Sequence, residues 1–384
     1  MDTTKISEKF KSLYGTEGAL YSSPGRINII GEHTDYNGGF VLPGAIDKAM
    51  YCEIKPNGTD NVRAYALDLN ESCEFGLDEA DKPAQQWACY IFGICREMVK
   101  KGKQVKGFDT VFAGDVPLGA GMSSSAALES CFGFALNEQF ELGFSLMEIA
   151  LMGQATEHNY VGIKCGIMDQ FASCHGKEGY LMRLDCRSLE FAYVPFNPKG
   201  YKVVLLNTCV EHNLAAGGEY NKRRLSCERV AAAIAKNHPE VKLLRDADLD
   251  MLKEVESEVN PIDYMRAEFV IEEIQRLLDA CAAMEKDDYE TVGQKMYETH
   301  EGLSKKYTVS CPELDYLNTM AKSCGVTGSR VMGGGFGGCT INLVKEERYD
   351  SFLRKTKEAY LTEYGKEPLI YDVVIKDGAR RING

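Results

Sequence analysis

The segment FAGDVPLGAGMSSSAALES, residues 112–130, decides how the rest of the chain can be organised. An apolar run typical of a strand ends at a glycine-rich loop, and three serines then open a helix predicted from about Ser123 to Phe140. The first turn of a helix carries unpaired N–H groups and a partial positive charge, and serine hydroxyls add further polar groups. This strand, loop and helix therefore suit the binding of a polyphosphate.

The loop differs from the common nucleotide-binding motif. A Walker-A loop has a lysine directly after its last glycine, whereas Met122 follows Gly121 here, so the chain is not a P-loop NTPase. Serines that only cap the helix, with glycines that only form a tight turn, are the structural alternative. Phosphate binding is the interpretation that the loop favours.

Upstream of this loop, SSPGRINIIGEHTDYNGG (residues 22–39) runs from a strand-like INII directly into strongly hydrated side chains. Asn37-Gly38 is a dipeptide typical of a tight turn, and FVLP after it could form the return strand of a hairpin. A hairpin needs only the Asn-Gly pair, so it leaves Glu32, His33 and Asp35 unexplained.

Downstream, GSRVMGGGFGGCTINLV (residues 328–344) contains a G-x-G-x-x-G match from Gly333 to Gly338. The dinucleotide-binding fingerprint requires a helix after the glycines, but CTINLV is typical of a strand, which argues against a nicotinamide dehydrogenase. A loop whose backbone approaches another segment or a ligand closely is then expected. A purely structural hairpin loop is equally compatible with the residues.

Two acidic residues lie on predicted helices. Glu157 shares a helix face with Gln154, and Asp169 lies near the start of a short helix predicted over 168–174. Considered alone, Glu157 is best explained as a solvated helix position and Asp169 as a helix cap. The six histidines form no H-E-x-x-H motif, which argues against a histidine zinc site.

Bulk composition excludes several classes of protein. The chain has 384 residues and a formal net charge of -13, which would repel a nucleic-acid backbone. Its fourteen cysteines include no C-x-x-C pair, so we expect reduced thiols and a cytoplasmic location. No apolar run approaches the ~18 residues of a membrane span, and no membrane partner is expected.

The order of predicted elements indicates an α+β chain with two domains. Strands dominate residues 21–76, and helices follow at about 84–101, 123–140 and 145–160. From about residue 190 the pattern restarts with the strand YKVVLLNTC, continues as helices to residue 323, and ends with two strands around a helix at about 346–363. A chain of this length exceeds a single hydrophobic core, so we place the domain boundary near 175–200.

Three segments together resemble the three motifs of the GHMP small-molecule kinases. GRINIIGEHTDYNGGFVLP is similar to the sugar signature of the galactokinase branch of that family, PLGAGMSSSAALE resembles its phosphate loop, and GSRVMGGGFGGCTINL resembles its C-terminal motif. ATEHNYVGIKCGIMDQF and EYNKRRLSCERV add to the resemblance, which covers residues 20 to 345. It implies a ribosomal-S5-domain-2-like N-terminal domain, residues 1–190, and a ferredoxin-like C-terminal domain, residues 191–384.

The activity implied by this resemblance is transfer of the ATP γ-phosphoryl group to the anomeric hydroxyl of α-D-galactose. N-acetylgalactosamine or arabinose as the acceptor, and a non-enzymatic galactose and ATP sensor, are alternatives. The uninterrupted SSSAALES and the presence of Asp169 argue against the sensor. A monomer that binds galactose and ATP is expected.

The resemblance also implies roles for individual residues. Asp169 and Arg26 would be catalytic, although a carboxylate beside a guanidinium is a weak base, so Asp169 could mainly orient the sugar hydroxyl. The residues implied to bind galactose are Glu32, His33, Asp35, Gly166 and Tyr220. Those implied to bind ATP are Gly119, Ala120, Gly121, Met122, Ser123, Ser124 and Ser125, with Trp87 and Tyr90 beside the adenine. Ser125 and Glu157 would hold Mg²⁺.

Overall fold

The computed structural model describes residues 1–210 and 218–382, with the backbone alone for Glu79. In this part of the chain the α-helices are α1 Thr4–Tyr14, α2 Gln86–Lys100, α3 Ser124–Gln139, α4 Leu146–Thr156, α5 Met168–His175, α6 Glu219–Ile234, α7 Leu249–Glu254, α8 Pro261–Met284, α9 Tyr289–Lys305, α10 Pro312–Ser323 and α11 Glu346–Tyr364. The strands are β1 Ala19–Asn28, β2 Phe40–Val41, β3 Pro43–Pro56, β4 Asn61–Ala66, β5 Glu71–Gly76, β6 Phe108–Gly114, β7 Tyr180–Asp185, β8 Phe191–Pro195, β9 Tyr201–Asn207, β10 Gly328–Val331, β11 Cys339–Lys345, β12 Leu369–Asp372 and β13 Arg380–Arg381.

The first half of the chain is built on a six-stranded sheet in the order β13-β1-β3-β6-β4-β5. Its neighbours are antiparallel except for β4 and β6, which run parallel. Helices α2 to α5 cover one face with a core that includes the fully buried rings of Phe92, Phe108, Phe132 and Phe171. Helix α1 covers part of the other face through Ile6 and Phe10. The apolar spacing of α2, predicted over 84–101, is thus confirmed as a core-facing helix.

The second half is built on a four-stranded antiparallel sheet in the order β10-β11-β9-β12. Helices α10 and α11 pack on one face, where Phe352 and Tyr360 are buried. Helices α8 and α9 lie on the other side, in a core that also contains Ile27, Ile29 and Ile30 from the first half. The predicted α+β composition is confirmed, and the two halves share buried apolar surface.

The last described residues return to the first half. Ile375 bridges Ile46, and β13 pairs with β1 at Tyr21 and Ser22, so residues 375–382 add to the N-terminal sheet. A division of the chain at residue 190 therefore separates the two main sheets but not every strand. Within the described residues no helix is both long and apolar enough to cross a bilayer.

The segment between β1 and β3 is not a tight hairpin. Asn28 pairs with Pro43, so residues 29–42 form one long connection, and Asp35–Asn37 within it is a short 3-10 helix closed by Gly38 at φ 69°. Phe40 and Val41 pair with β7 rather than returning along β1. The simple hairpin interpretation is wrong because the hydrated GEHTDY segment (residues 31–36) is an inserted structure of its own.

Candidate active site

A cavity of about 180 Å³, here the inner cavity, lies where β1, the start of α3, the start of α5 and the loop before β11 meet. Fourteen of the predicted site residues are among those that line it. They are Arg26, Glu32, His33, Asp35, Gly119, Gly121, Met122, Ser123, Ser124, Ser125, Glu157, Gly166, Asp169 and Tyr220. Ala120 is not one of the lining residues, because its side chain is fully buried in the core beneath the loop.

The centre of the inner cavity is an ion pair between Arg26 and Asp169. Nε and Nη2 of Arg26 donate to the two carboxylate oxygens of Asp169 at 2.8 and 2.9 Å, a bidentate geometry. The hydroxyl of Ser123 also donates to Asp169 Oδ2. The guanidinium is buried, whereas the Asp169 side chain keeps about a third of its surface exposed toward the cavity. A charged carboxylate is thus held firmly but remains accessible to a ligand.

Local structure explains why these groups converge. Arg26 lies near the end of β1, and its backbone N–H donates to Met122 O at 3.1 Å, which joins β1 to the first glycine loop, residues 117–125. Asp169 is in the first turn of α5, but Ile167 precedes the helix as its cap. Ser123 has φ 61° and makes no side-chain cap to α3. The helix-cap interpretations of Ser123 and Asp169 are therefore wrong, because these two side chains bind each other.

The second glycine loop, residues 332–338, packs directly on the first. A Cβ added to Gly121 would lie 3.1 Å from Met332 O, and one added to Gly338 would lie 3.3 Å from Gly119 O. Both glycines also have positive φ, 72° and 75°. The sequence-based expectation that the G-x-G-x-x-G segment allows close approach of backbone is confirmed, and the partner is the first glycine loop.

Glu32 has a partner that the sequence analysis missed. Its Oε1 accepts from Arg330 Nη2 at 3.0 Å and from the Gly333 backbone at 2.8 Å. Arg330, at 0% exposure, also donates to the carbonyls of Asn28, Ile29 and Val331. A charged residue in the otherwise strand-like GSRV was the signal in the sequence, but its partner lies 298 positions away.

Asp35 and Gly166 are in direct contact. A Cβ on Gly166 would lie 1.9 Å from Asp35 Oδ2, so only glycine fits beside this carboxylate. Asp35 Oδ1 accepts from the backbone N–H of Tyr36 at 2.9 Å. Burial, together with the negative charge of Asp169, raises the pKa of Asp35 to about 7. This carboxyl therefore changes its charge near neutral pH and is placed to accept hydrogen bonds from a polar ligand.

His33 and Tyr220 form an aromatic wall of the inner cavity. Their ring centroids are 5.4 Å apart, and His33 adopts φ 61°, a left-handed conformation that is uncommon outside glycine. Burial, with the nearby charge of Arg223, lowers the pKa of His33 to about 3, so the imidazole is neutral. Tyr220 lies in the first turn of α6, which brings a residue of the second half to the cavity.

Glu157 is buried at 4% exposure, so the solvated helix position expected from its spacing is wrong. Helix α4 ends at Thr156, and Glu157 begins a π-helical segment, Glu157–Val161, that turns the carboxylate inward. Burial raises the pKa of Glu157 to about 7, although a hydrogen bond from Ser125 acts in the opposite direction. Its Oε2 is buried without a hydrogen-bond partner. A buried, incompletely paired carboxylate beside a serine hydroxyl is suited to a cation.

These two residues alone do not make a complete metal site. Among the described residues, no group of three or more His, Cys, Asp and Glu side chains is placed to hold a metal ion. Mg²⁺ in proteins is commonly held by one or two carboxylates and by substrate phosphates. Ser125 and Glu157 fit that arrangement.

A second, outer cavity of about 720 Å³ opens beside the inner one and shares Ser124 and Ser125 with it. Trp87 and Tyr90 of α2 line it, and the other walls are largely apolar. Trp87 Nε1 donates to Glu71 Oε2 at 2.9 Å, and Glu71 lines the same cavity. The predicted neighbours of an adenine are thus not at the inner cavity but at a larger apolar cleft joined to it through the start of α3.

With this geometry established, comparison with known proteins defines the class. Residues 89–177 match the family description GHMP kinases N terminal domain, and residues 271–360 match GHMP kinases C terminal. The fold is also similar to a crystal structure of mevalonate kinase, at 20% identity and TM-score 0.64 over 93% of this chain and 99% of that one. The chain thus has the α+β fold of ATP-using small-molecule kinases, with N- and C-terminal domains.

Residues 8–56, which include the GEHTDY segment, match the galactokinase galactose-binding signature. The chain is 39% identical to a galactokinase of Clostridium acetobutylicum over 98% of both proteins, and 37% identical to one of Roseiflexus over 100% of this chain and 98% of the relative. It is similar to the structure of Lactococcus lactis galactokinase complexed with galactose, with TM-score 0.94, 31% identity and full coverage of both chains. The chain belongs to the galactokinases, and it phosphorylates galactose with ATP.

Proposed function

We propose that the inner cavity binds the galactose and the γ-phosphoryl group, and that the outer cavity binds the adenine of ATP. The observation that carries this proposal is the bidentate pair of Arg26 and Asp169 in the inner cavity, beside the first glycine loop, whose Ser124 and Ser125 also line the outer cavity. Transfer of the phosphoryl group to the anomeric hydroxyl of α-D-galactose would then take place in the inner cavity, next to the Asp169 carboxylate.

Phosphoryl transfer proceeds through a loose transition state, so catalysis depends mainly on alignment and on neutralising charge. We assign Arg26 to the transferring group, because its buried guanidinium lies beside the first glycine loop through Gly121 O. Asp169 accepts a hydrogen bond from the attacking hydroxyl and takes its proton as the transfer completes. Since Arg26 and Ser123 already donate to Asp169, orientation is its larger contribution.

Galactose recognition is assigned to Glu32, His33, Asp35 and Tyr220, with Gly166 leaving room for Asp35. Such a polar site rejects a sugar that lacks a required hydroxyl, because its own buried groups would remain unpaired. The ATP phosphates are assigned to the backbone N–H groups from Gly119 to Ser124 at the start of α3, and the adenine to the cleft at Trp87 and Tyr90.

Ser125 and Glu157 are proposed to hold Mg²⁺. When bound, Mg²⁺ would neutralise charge on the phosphate oxygens. Glu157→Gln should raise the Mg²⁺ concentration needed for half-maximal rate, and it should do so more than it changes the KM for galactose. A normal Mg²⁺ requirement in this variant would contradict the assignment.

An ADP-release assay tests the acceptor. Galactose, N-acetylgalactosamine, arabinose and glucose are compared with and without Mg²⁺, and we expect turnover with galactose in the presence of Mg²⁺. Turnover only with another sugar would change the substrate and leave the kinase assignment intact. Galactose binding without any ADP release would instead favour the sensor.

We further propose a cytoplasmic monomer with domains at 1–190 and 191–384. All fourteen cysteines are free thiols in the structure, including Cys52 and Cys131 with sulfur atoms 3.6 Å apart, which supports a reducing compartment. The separate main sheets support the domain division. Light scattering with size-exclusion chromatography would test the monomer.

A further inference from the structure

His33 is held from behind by a chain of buried hydrogen bonds. Its Nδ1 lies 2.7 Å from the hydroxyl of Tyr36, that hydroxyl lies 2.7 Å from the hydroxyl of Tyr307, and the latter lies 3.3 Å from Cys227 Sγ. All four side chains are buried. The chain runs from the GEHTDY segment into the second half of the molecule, because Tyr307 follows α9 and Cys227 is in α6.

Every member of this chain keeps its proton at neutral pH. Burial raises the pKa of Tyr36 and of Tyr307 well above the usual value for tyrosine, and it raises the pKa of Cys227 to about 11. The imidazole is neutral, since burial and the charge of Arg223 lower its pKa to about 3. Each of the three contacts therefore contains one proton, and a fourth proton is left at one end of the chain.

The groups around His33 determine whether this fourth proton lies on Nε2 of His33 or points away from the chain on the Cys227 thiol. The ring interacts with the Gly334 backbone, and this interaction raises the pKa of His33, as a carbonyl acceptor does. Nδ1 is already engaged with Tyr36 at 2.7 Å, whereas Nε2 is buried and has no hydrogen-bond partner of normal geometry among the described residues. A proton on Nε2 suits this backbone acceptor, and because Nε2 makes no normal hydrogen bond within the described part of the protein, the N–H is still free to donate to a ligand oxygen. The favourable arrangement has Nε2–H, with Tyr36 donating to Nδ1 and Tyr307 donating to Tyr36.

We propose that Tyr36 and Tyr307 are positioning residues that hold His33 in the Nε2–H tautomer, so that the ring offers a hydrogen-bond donor to an oxygen atom of galactose. This rests on the proposed contact between His33 and the sugar. Glu32 and Asp35 supply acceptors in the same cavity. Sugar hydroxyl groups both accept and donate hydrogen bonds, so the Nε2–H donor of His33 beside these acceptors makes the cavity complementary to them. Tyr36 and Tyr307 contribute without touching the sugar.

Tyrosine-to-phenylalanine variants test the proposal with little change in shape. In Tyr36→Phe the donor to Nδ1 is lost, and we expect the KM for galactose to rise about fivefold, the effect of one neutral hydrogen bond. Tyr307→Phe leaves the Tyr36 hydroxyl in place and should have a smaller effect. In both variants the KM for ATP and kcat should stay within about twofold. Tyr21→Phe is the matched control, since Tyr21 is fully buried and its hydroxyl accepts one hydrogen bond from Gln139 at 2.8 Å.

Long-range ¹H–¹⁵N correlation spectra of histidine-labelled enzyme report the tautomer directly, with His33 assigned from a His33→Ala sample. We expect the Nε2–H pattern in the parent enzyme, a mixture of tautomers in Tyr36→Phe and no change in Tyr21→Phe. An Nδ1–H pattern in the parent, or an unchanged spectrum and KM in Tyr36→Phe, would overturn the proposal. Equal rises in both KM values, matched by Tyr21→Phe, would also overturn it, because they indicate a structural role only.

His33→Ala keeps this inference separate from the contact on which it rests. A normal KM for galactose in His33→Ala would refute the contact between His33 and the sugar, whatever the tautomer. A raised KM in His33→Ala with a normal KM in Tyr36→Phe would support the contact and refute the positioning role.

Discussion

At the scale of single residues, the site consists of polar groups whose properties depend on partners supplied by the fold. Asp169 is exposed enough to meet a ligand, yet it is held by two N–H groups of Arg26 and by the Ser123 hydroxyl. Asp35 has no cation among its direct hydrogen-bond partners. Two carboxylates in one cavity are thus held in different electrostatic environments.

Asp169→Ala should lower kcat by about 10²–10⁴-fold, the usual range for a group that handles a proton or orients a nucleophile. The KM for galactose should change much less, because other residues bind the sugar. Steady-state kinetics of ADP release measure both parameters. Turnover close to the parent level would show that the attacking hydroxyl is oriented by another group.

Asp35 predicts a pH dependence of galactose binding. With a pKa of about 7, this carboxyl is largely protonated at pH 6 and largely ionised at pH 8 in the free enzyme. The ionised form is the stronger acceptor for sugar hydroxyls, so the KM for galactose should fall as the pH rises through 7. The change between pH 6 and pH 8 is limited to about tenfold, because the ionised fraction of a carboxyl with this pKa rises about tenfold over that range.

Asp35→Asn is the control for this pH effect, because an amide of the same size does not titrate. Its KM for galactose should be high and should vary little between pH 6 and pH 8. A pH profile as steep in Asp35→Asn as in the parent would assign the titration to another group, such as Glu157.

At the scale of elements, the two glycine loops act as one structure. Gly121 receives Met332 against its backbone, and its own carbonyl accepts from Arg26. A displacement of one loop is therefore transmitted to the guanidinium that we assign to catalysis. Close packing of backbone on backbone, rather than a dinucleotide site, explains why glycines recur in both segments.

Gly121→Ala and Gly119→Ala separate this packing from backbone strain. Both residues have positive φ, 72° and 68°, so either substitution should cost about 1 kcal/mol of stability. Only at Gly121 does the new methyl group meet the other loop, at 3.1 Å from Met332 O. We expect kcat of Gly121→Ala to be about tenfold lower than that of Gly119→Ala. Equal kcat values would show that the contact between the loops does not position Arg26.

At the scale of the whole molecule, buried charged residues of the second half hold the GEHTDY segment in place, together with the residues directly before it. Arg330 binds Glu32 and the carbonyls before it, and the buried carboxylate of Glu273 accepts from the Gly31 N–H at 2.8 Å. The sugar site therefore depends on contact between the two halves. Tyr220 and the chain through Tyr307 add further connections from the same half.

Arg330→Met should lower the free energy of unfolding by about 3–5 kcal/mol, because Glu32 would remain as a buried charge without its partner. Urea denaturation measures this loss. Lys11→Met is the control, since Lys11 pairs with Glu17 at 2.9 Å but both side chains are largely exposed, and its removal should change the free energy of unfolding little. Similar losses of unfolding free energy in the two variants would contradict the conclusion that Arg330 stabilises the fold by pairing with the buried Glu32.

Adding Glu32→Gln to Arg330→Met tests the reason for the loss. A neutral amide carries no buried charge, so the double variant should recover part of the stability while galactose binding stays poor. If the double variant were less stable than Arg330→Met alone, lost packing rather than the unpaired carboxylate would explain the destabilisation.

Short-range patterns of apolar spacing, glycines and charged groups were enough to predict the α+β composition and to mark the three motifs in their order, whereas the roles of most residues of the inner cavity came from the resemblance to a kinase family. Local patterns alone were misleading for two acidic residues, since they favoured a solvated helix position for Glu157 and a helix cap for Asp169. For Ser123 a helix cap was only the alternative to phosphate binding, and it too was wrong. Their side chains instead turn toward partners that are distant in the chain.

The contacts between residues distant in the chain could be seen only in the folded molecule. Arg330 reaches Glu32 across 298 positions, Tyr307 reaches Tyr36 across 271, and β13 returns to β1. Such pairings follow from the packing of two sheets and their helices around a shared core, and no local propensity encodes them. The charge of Asp35 and the tautomer proposed for His33 have the same origin, because burial and long-range neighbours set the energy of a proton.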